Sequence, residues 1–317
     1  MIIIKPYTDE FREMWNSFNK SAKNSLFMFD RNFMEYHKER FMDNSLLFFD
    51  VDDQFSKEEL CAILPLTKHG NEVISHGGLT YGGFITDYKM KQHRMNECFE
   101  VLRKYMKQNG IDKITYKTIP YFYHTNPAQE DLYSLFINNA TPIKVECSTV
   151  VDFAYPIKLL KGRKAQVTRS KREGVEIILS EDFDTFIELE NSVLFERHQT
   201  KAVHTGAELK LLKDRFPENI KLYSAMYQGK MIAGAVIFIY PNVVHTQYLA
   251  ANSIAREIGA LDLTIYSIIE EYKICKKFLD FGISTEDAGR VLNTGLISQK
   301  EGFGGRTVVY QTWELKI

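Results

Sequence analysis

Two carboxylates follow a strand-like run near the end of the sequence. The apolar residues from Leu279 to Ile283 predict a strand, and Glu286 and Asp287 come just after it. Ligands of open α/β sheets collect beyond the carboxyl ends of strands, where a carboxylate can accept a proton. Most amines are protonated at pH 7, so an amine that attacks a carbonyl group needs such an acceptor. We therefore predict Glu286 as a catalytic residue; capping of the following helix is the alternative, and it suits Asp287 better.

A second polar group interrupts a strand of the preceding hairpin. Strand alternation predicts His245 and Gln247 on one face, and Thr246 and Tyr248 on the other. Polar residues between apolar runs indicate the wall of a wet cleft. His245 is therefore the second catalytic candidate and Gln247 a candidate substrate contact, with a solvent-facing sheet surface as the alternative.

Cations and glycines around the last helix suit the binding of an acidic or phosphorylated acceptor. Lys300 and Arg306 flank the glycine-rich residues 302–305, which let a backbone approach a ligand closely. Arginine offers a bidentate fork for phosphate and lysine a point charge. A glycine turn with solvated cations is the alternative. The other predicted substrate contacts are Asn293, His204, His76 and Tyr81.

The elements that must position these residues occur twice along the chain. Its 317 residues suffice for two domains of roughly 150 residues each. Hydrophobic periodicity predicts the order helix, helix, strand, hairpin, helix, strand, helix, strand in both halves. The predicted domains are residues 1–155 and residues 156–317, the second beginning with a linking helix. We expect a mixed α/β fold.

Composition limits the class of protein. The net charge of −1 argues against nonspecific adhesion to nucleic acid or membranes, and no apolar stretch approaches the ~20 residues of a membrane span. The four cysteines lie far apart, which predicts neither a disulfide framework nor a metal site. We expect a cytoplasmic protein that does not bind DNA.

A basic segment opens the second half. Residues 161–172 carry six cations. We weigh three interpretations of this segment. It is the solvated face of a helix between domains, or a patch that attracts the phosphates of a nucleotide-sugar. Binding of RNA is the weaker third interpretation, because aromatic residues do not alternate with the cations.

Two stretches resemble the core of the GNAT-superfamily N-acyltransferases: "HTQYLAANSIAREIGALDLTIYSIIEEY" and "KKFLDFGIST". The whole chain resembles a FemAB-like member with two tandem GNAT-type domains, through "GRKAQVTRSKREGVEI" and "LNTGLISQKEGFGG" as well. The N-terminal half matches in element order and in "SHGGLTYGGF" only. The nearest resemblance is to acyltransferases of bacterial surface-polysaccharide gene clusters.

The resemblance implies a donor site where two neighbouring strands part and a helix points its N-terminus at a pyrophosphate. The phosphate loop then comprises Arg256, Gly259 and Ala260, although Leu261 stands where such loops carry glycine or alanine. The backbone N–H groups of Leu249 and Ala251 would hold the donor carbonyl as it becomes an oxyanion.

The reaction that the resemblance implies is transfer of an acyl group, most simply acetyl from acetyl-CoA or another acyl-CoA, to an amine. An amino-sugar or nucleotide-sugar of a surface polysaccharide is the expected acceptor. Direct attack needs no covalent intermediate and no metal. Two alternatives stay open: an aminoacyl-tRNA-dependent transferase that builds peptidoglycan bridges, and a non-catalytic binding module. The sequence does not indicate the oligomeric state.

Overall fold

The computed structural model describes residues 1–52 and 57–317, which divide into two compact units. Unit 1 comprises Met1–Glu146, Ala288–Arg290 and Val309–Ile317. Unit 2 comprises Cys147–Asp287 and Val291–Val308. The domain boundary between residues 155 and 156 stays a prediction.

Unit 1 mixes short strands with four helices among its described residues. Its strands are β1 (Ile2–Pro6), β2 (Met42–Asp43), β3 (Leu46–Asp52), β4 (Lys57–Leu64), β5 (Thr67–His69), β6 (Glu72–Ile74), β7 (Ile85–Thr86) and β8 (Lys113–Lys117). Its helices are α1 (Arg12–Ser21), α2 (Arg31–Met34), α3 (Gln92–Gln108) and α4 (Glu130–Ile137). Single 3₁₀ turns cover Asp9–Phe11, Phe27–Phe29, Glu35–Arg40 and Tyr121–Tyr123.

The core of unit 1 forms on helix α3. Its apolar residues recur at helical spacing and are all buried: Met95, Cys98, Phe99, Leu102 and Met106. They pack against strands of the antiparallel group β1-β3-β4-β7 and against β8. The helix ends where Gly110 adopts a left-handed conformation (φ 67°), as the Asn-Gly pair predicts. In the rest of the unit, β2-β5-β6 are antiparallel and β6 pairs with β8 in parallel.

Strand β9 (Thr141–Asp152) leads from unit 1 into unit 2, and β17 (Arg306–Lys316) leads back. Between them lie the strands β10 (Glu176–Ser180), β11 (Ile220–Tyr227), β12 (Lys230–Ile239), β13 (Val243–Ala251), β14 (Phe278–Ile283), β15 (Thr285–Glu286) and β16 (Val291–Leu292). The helices are α5 (Lys161–Arg172), α6 (Phe183–His198), α7 (Gly206–Arg215), α8 (Ser253–Ile258), α9 (Ala260–Tyr272) and α10 (Thr294–Glu301). A 3₁₀ turn covers Asp287–Gly289.

The sheet of unit 2 is mixed. Strands β10 to β13 follow one another antiparallel, β13 pairs with β14 in parallel, and β14 pairs antiparallel with β9. Helix α9 buries its apolar face on one side of this sheet. Helix α6 packs on the other side, where Phe186 lies so close to Gly234 that a Cβ at Gly234 would lie 2.9 Å from the ring. The predicted hairpin, helix and strand are therefore confirmed in unit 2, as is the mixed α/β fold class.

Candidate active site

Strands β13 and β14 run side by side and then part. Their pairing covers three residue pairs and ends at His245 opposite Asp280. Beyond that point β13 continues to Ala251, whereas Gly282 adopts a left-handed conformation (φ 73°) and Ile283 pairs with Ser148 of β9. A wedge therefore opens between the two strands, with its apex at His245. We call this opening the β13–β14 wedge.

The free edge of β13 offers N–H groups to the β13–β14 wedge. Asn252 donates its N–H to Ile232 of β12, and antiparallel bonding alternates along a strand. The N–H groups of Leu249 and Ala251 therefore point away from β12, toward the opening. These two groups are the ones that we predicted as carbonyl ligands.

A bulge at Gln247 changes which side chains share a face. Thr246 pairs with Ile237 and Tyr248 pairs with Val236, so Gln247 is an extra residue without a partner across the ladder. The expected alternation is therefore wrong beyond Thr246, and Tyr248 lies on the same face as His245. Gln247 itself is half-buried.

A buried histidine–carboxylate pair lies at the apex of the wedge. His245 Nδ1 lies 2.9 Å from Asp280 Oδ2, and Asp280 is fully buried. The other carboxylate oxygen accepts hydrogen bonds from Ser148 Oγ (2.8 Å) and from the N–H of Gly282 (3.0 Å). A carboxylate only accepts hydrogen bonds, so it favours the histidine tautomer with the proton on Nδ1. Nε2 of His245 then carries a lone pair, which is what a general base requires.

Gly282 also provides the space for the imidazole ring. A Cβ at Gly282 would lie 3.3 Å from Cε1 of His245, and the left-handed backbone disfavours other residues. The same glycine therefore bends β14 away from β13 and leaves room for the ring at the apex.

Tyr248 and His204 form a second polar pair in unit 2. Tyr248 Oη lies 2.6 Å from His204 Nδ1, and the rings meet edge to face. Burial raises the pKa of Tyr248 to about 12, and the charge of Glu190 adds to this rise. His204 directly precedes Thr205, whose side chain forms a capping box with Glu208 at the start of α7.

Glu286 and Asn293 contact each other. Asn293 Nδ2 donates to Glu286 Oε1 (2.9 Å), and Asn293 Oδ1 caps α10 by accepting from the N–H of Leu296. Glu286 is exposed on β15. The helix cap is therefore Asn293 rather than Asp287, which adopts a left-handed conformation (φ 46°).

Lys300 is buried beneath the bend of β14. Its ammonium group donates to the carbonyl oxygens of Gly282 (2.9 Å) and Ile283 (2.6 Å). Burial lowers the pKa of Lys300 to about 8, although the charge of Asp280 acts in the opposite direction. Lys300 thus holds the bend in place, whereas Arg306 is exposed and bonds the carbonyl oxygen of its neighbour Gly305.

The loop predicted to bind phosphate is tightly packed. Arg256 donates to the carbonyl oxygen of Ala251 (2.8 Å), and Ala260 is fully buried. Gly259 is left-handed (φ 77°), and a Cβ there would lie 2.7 Å from Gln166 of α5. Glycine at this position therefore allows α5 to approach the start of α9.

Helix α5 covers the first turn of α9. Arg163 Nη1 lies 2.8 Å from Asp262 Oδ1, and Asp262 is the acidic residue of that turn. Val167 and Ser170 complete the buried face of α5. The positive end of the α9 dipole is thus matched by a carboxylate of this chain, and the cations that α5 exposes face solvent.

Unit 1 has a parallel strand pair that ends in the same way, but its own chain occupies the space beyond. The pairing of β6 with β8 ends at Ile74 opposite Thr115, and residues 75–83 follow directly. Within this segment, Gly82 is so close to Ser75 that a Cβ there would lie 2.1 Å from the Ser75 carbonyl oxygen. Glycine is therefore required for this segment to fold back on itself.

The predicted ligand contacts of this segment are enclosed by protein. His76 is 4% exposed and Tyr81 is 1% exposed. Burial lowers the pKa of His76 to about 3, and Lys117 donates to the His76 carbonyl oxygen (2.6 Å). Tyr81 shares hydrogen bonds with the hydroxyl groups of Tyr123 and Tyr310.

Sequence reasoning missed Asp280 and Ser148. A single carboxylate inside the apolar run 278–283 was the available signal, because aspartate is almost never fully buried without partners. Ser148 had no local signal, since its contact with Asp280 depends on the pairing of β9 with β14.

Two properties of the described residues concern metal ligands and membrane spans. No cluster of three or more His, Cys, Asp or Glu side chains suited to a metal occurs in residues 1–52 and 57–317. Within the same residues, the helices are too short or too polar to cross a bilayer.

Comparison with known proteins shows likeness in structure rather than in sequence. No protein-family model and no curated protein matches the sequence. The crystal structure of FemX superimposes with a TM-score of 0.69 and 12% identity, covering 99% of this chain and 97% of FemX. L-PGS from Bacillus licheniformis gives a TM-score of 0.62 and 12% identity, covering 98% of this chain and 92% of that one.

A third structure with a similar fold is a tandem GNAT protein. The tandem GNAT protein from the clavulanic acid biosynthesis pathway gives a TM-score of 0.54 and 10% identity, covering all of this chain (100%) and 98% of that one. At such identities these structures establish the fold alone. The chain therefore has a mixed α/β fold of the FemX and tandem GNAT type.

Proposed function

We propose that this protein is an N-acyltransferase whose reaction takes place in the β13–β14 wedge of unit 2. The observation that carries the proposal is the buried His245–Asp280 pair at the point where the two strands part. An oriented imidazole at the apex and outward-facing N–H groups farther along β13 supply a proton acceptor and an oxyanion site on one strand.

The proposed reaction has one covalent step. The carbonyl oxygen of the donor lies against the N–H group of Leu249, which stabilises it as negative charge develops. The N–H group of Ala251 lies two residues farther along the strand, at roughly 6.6 Å, and binds a neighbouring polar group of the donor. A neutral amine forms a bond to the carbonyl carbon, and the bond from that carbon to the leaving sulfur or oxygen breaks. His245 Nε2 accepts the proton from nitrogen and returns it to the leaving group. Ser148 and Gly282 keep Asp280 positioned for this role.

Two donor classes follow from different observations. Acetyl-CoA or another acyl-CoA is the donor implied by the resemblance of short motifs to GNAT enzymes, with Arg256, Gly259 and Ala260 at its phosphates. The packing of α5 over the start of α9 favours the second class, aminoacyl-tRNA, because Asp262 already occupies the first turn of that helix. The exposed cations of residues 161–172 also suit a polynucleotide donor.

The acceptor is proposed to be an amine of small size. The choice of an amino-sugar or nucleotide-sugar of a surface polysaccharide rests only on the resemblance of short motifs in the sequence. Glu286 and Arg306 are exposed and Asn293 is half-buried, and we propose that these three residues bind it. Cytoplasmic location and the domain boundary at 155 likewise stay predictions.

Transfer to amines tests the proposal. The protein is incubated with a panel of amino-sugars and one of two labelled donors. The donors are isotopically labelled acetyl-CoA and tRNA charged with labelled amino acids. Products are identified by mass spectrometry. We expect one donor class to yield a labelled amide. His245→Gln should lower turnover by roughly 10²- to 10⁴-fold with little change in donor affinity. Asp280→Asn should also lower it and should alter the pH–rate profile, because the amide no longer favours the Nδ1–H tautomer.

Two variants provide the controls. His93→Gln changes an exposed histidine on α3 of unit 1 and should leave turnover unchanged. Glu286→Gln tests the other predicted base: a loss there with full activity in His245→Gln would move the catalytic role to Glu286. Donor binding without transfer to any acceptor would instead support a non-catalytic binding module.

A further inference from the structure

A cavity in unit 1 lies outside the site described above. It has a volume of about 280 Å³ and is lined by residues 142–145 of β9 and residues 288–290, which follow β15. Small-molecule sites usually measure roughly 300–1,000 Å³, so this cavity suits a small ligand or one group of a larger ligand.

The turn that lines the cavity has an unusual backbone. Asp287, Ala288 and Gly289 all have positive φ values, of 46°, 52° and 89°. Such conformations cost on the order of 1–3 kcal/mol for residues other than glycine and persist where the surroundings enforce them. Gly289 lies directly on β9, since a Cβ there would be 2.0 Å from the carbonyl oxygen of Val145. The turn is therefore fixed against the strand, and Arg290 follows it at the rim of the cavity.

The charges of the lining favour an anion. Arg290 is exposed, and it forms no ion pair with any residue that the structure describes. Lys144 lies 2.9 Å from Glu146 Oε1, so Arg290 is the cation left for a ligand. A guanidinium group binds phosphate through two parallel hydrogen bonds.

The rest of the lining is apolar. Pro142, Ile143 and Val145 form the strand side of the cavity, and Ile143 and Val145 are both more than 40% exposed. An apolar wall beside a single arginine suits a phosphoryl group whose ester carries a carbon skeleton.

We infer that the cavity formed by residues 142–145 and 288–290 binds the phosphoryl group of a small phosphorylated molecule. Arg290 is the residue that recognises it, and Gly289 holds the turn on β9. The inference stands on unit 1 alone and does not depend on acyl transfer in unit 2.

Calorimetry with inorganic phosphate and with pyrophosphate tests the inference on the full chain. We expect at least one of them to bind, and Arg290→Gln to weaken the affinity by about tenfold or more. Gly289→Ala should weaken it too, because the added Cβ pushes the turn off β9. Lys107→Gln removes an exposed cation of α3 in the same unit and should leave the affinity unchanged.

The outcomes separate clearly. Absence of binding to both probes overturns the inference, as does an affinity that Arg290→Gln leaves unchanged. Acetate that binds as tightly as phosphate overturns the choice of a phosphoryl group. Melting temperatures of the variants show whether they fold. If Gly289→Ala does not fold, Arg290→Gln alone decides, since its exposed side chain contributes little to stability.

Discussion

Asp280 is the residue on which the proposed chemistry depends most. A buried carboxylate costs several kcal/mol in desolvation unless hydrogen bonds compensate for the lost water. Here Ser148, Gly282 and His245 supply those bonds from three different segments. The arrangement leaves the imidazole oriented rather than merely buried. These hydrogen bonds therefore explain why a charged residue occurs within an otherwise apolar strand.

A second buried carboxylate, in unit 1, gives a test by pH. Burial raises the pKa of Asp131 to about 6 from its ordinary value of 3.8, although a hydrogen bond from Tyr116 lowers it. The folded state therefore binds more protons between these values, so the contribution of Asp131 to stability is fully present below about pH 4 and is lost as the pH rises toward 6. The free energy of unfolding that is lost in this way amounts to roughly 3 kcal/mol. Asp131→Asn should remove this part of the pH dependence in urea unfolding measured from pH 4 to 7.

The matched control for this test is Glu97→Gln, which changes an exposed carboxylate on α3. It should leave the pH dependence as it is in the unaltered protein. A stability difference between the unaltered protein and Asp131→Asn that stays constant from pH 4 to 7 would contradict the assignment.

At the scale of elements, the site depends on irregularities in two strands. The bulge at Gln247 turns Tyr248 onto the face of His245, and the left-handed Gly282 bends β14 away from β13. Lys300 then secures the bend through two carbonyl oxygens. Regular strands would have continued the ladder and closed the opening, because strand pairing satisfies backbone groups wherever it can continue.

Gly282→Ala tests the role of the bend. The substitution adds the cost of a left-handed alanine, about 1–2 kcal/mol, and a Cβ 3.3 Å from the His245 ring. We expect turnover to fall by roughly tenfold or more, because the ring is displaced from its position. Steady-state kinetics and thermal unfolding measure the two effects separately.

Gly229→Ala is the control for the backbone cost. Gly229 is also left-handed (φ 75°), and a Cβ there meets nothing within 4 Å. Both variants should therefore lose similar stability, and only Gly282→Ala should lose activity. Equal activity in the two variants would argue against a role for Gly282 in placing the ring.

At the scale of the whole molecule, the two units use the same strand arrangement differently. In unit 2 the space beyond the parallel pair is the β13–β14 wedge. In unit 1 the corresponding space is taken up by residues 75–83, among which His76 and Tyr81 are buried. Among the residues that the structure describes, unit 2 therefore has the opening that we propose as the donor site.

Hydrogen exchange monitored by mass spectrometry tests this difference. The amides of Leu249 and Ala251 face the opening. A bound donor should slow their hydrogen exchange at least a few-fold. The amides of residues 75–83 should exchange at unchanged rates. The amides of Tyr248 and Ala250, already bonded to β12, serve as an internal control. Protection confined to residues 75–83 would place the donor in unit 1 instead.

The sequence by itself determined the elements of unit 2 and their order. Apolar periodicity predicted the hairpin of β12 and β13, the helix α9 and the strand β14, because these patterns reflect local geometry. Asn-Gly after α3 predicted where that helix ends. His245 was a candidate because a strand between apolar runs carried polar residues, whereas the backbone of Leu249 and Ala251 was implied by the resemblance to GNAT enzymes.

Only the tertiary structure decided how the candidates meet. The contact of Asp280 with Ser148 spans 132 residues, and the pairing of residues 312–316 with β8 spans nearly two hundred. The bulge at Gln247, the cover of α5 over α9 and the filled space in unit 1 also have no local signal. Each depends on which segments pair or pack across long separations in sequence. The burial of apolar groups and the hydrogen bonding of the whole folded chain determine that pairing and packing.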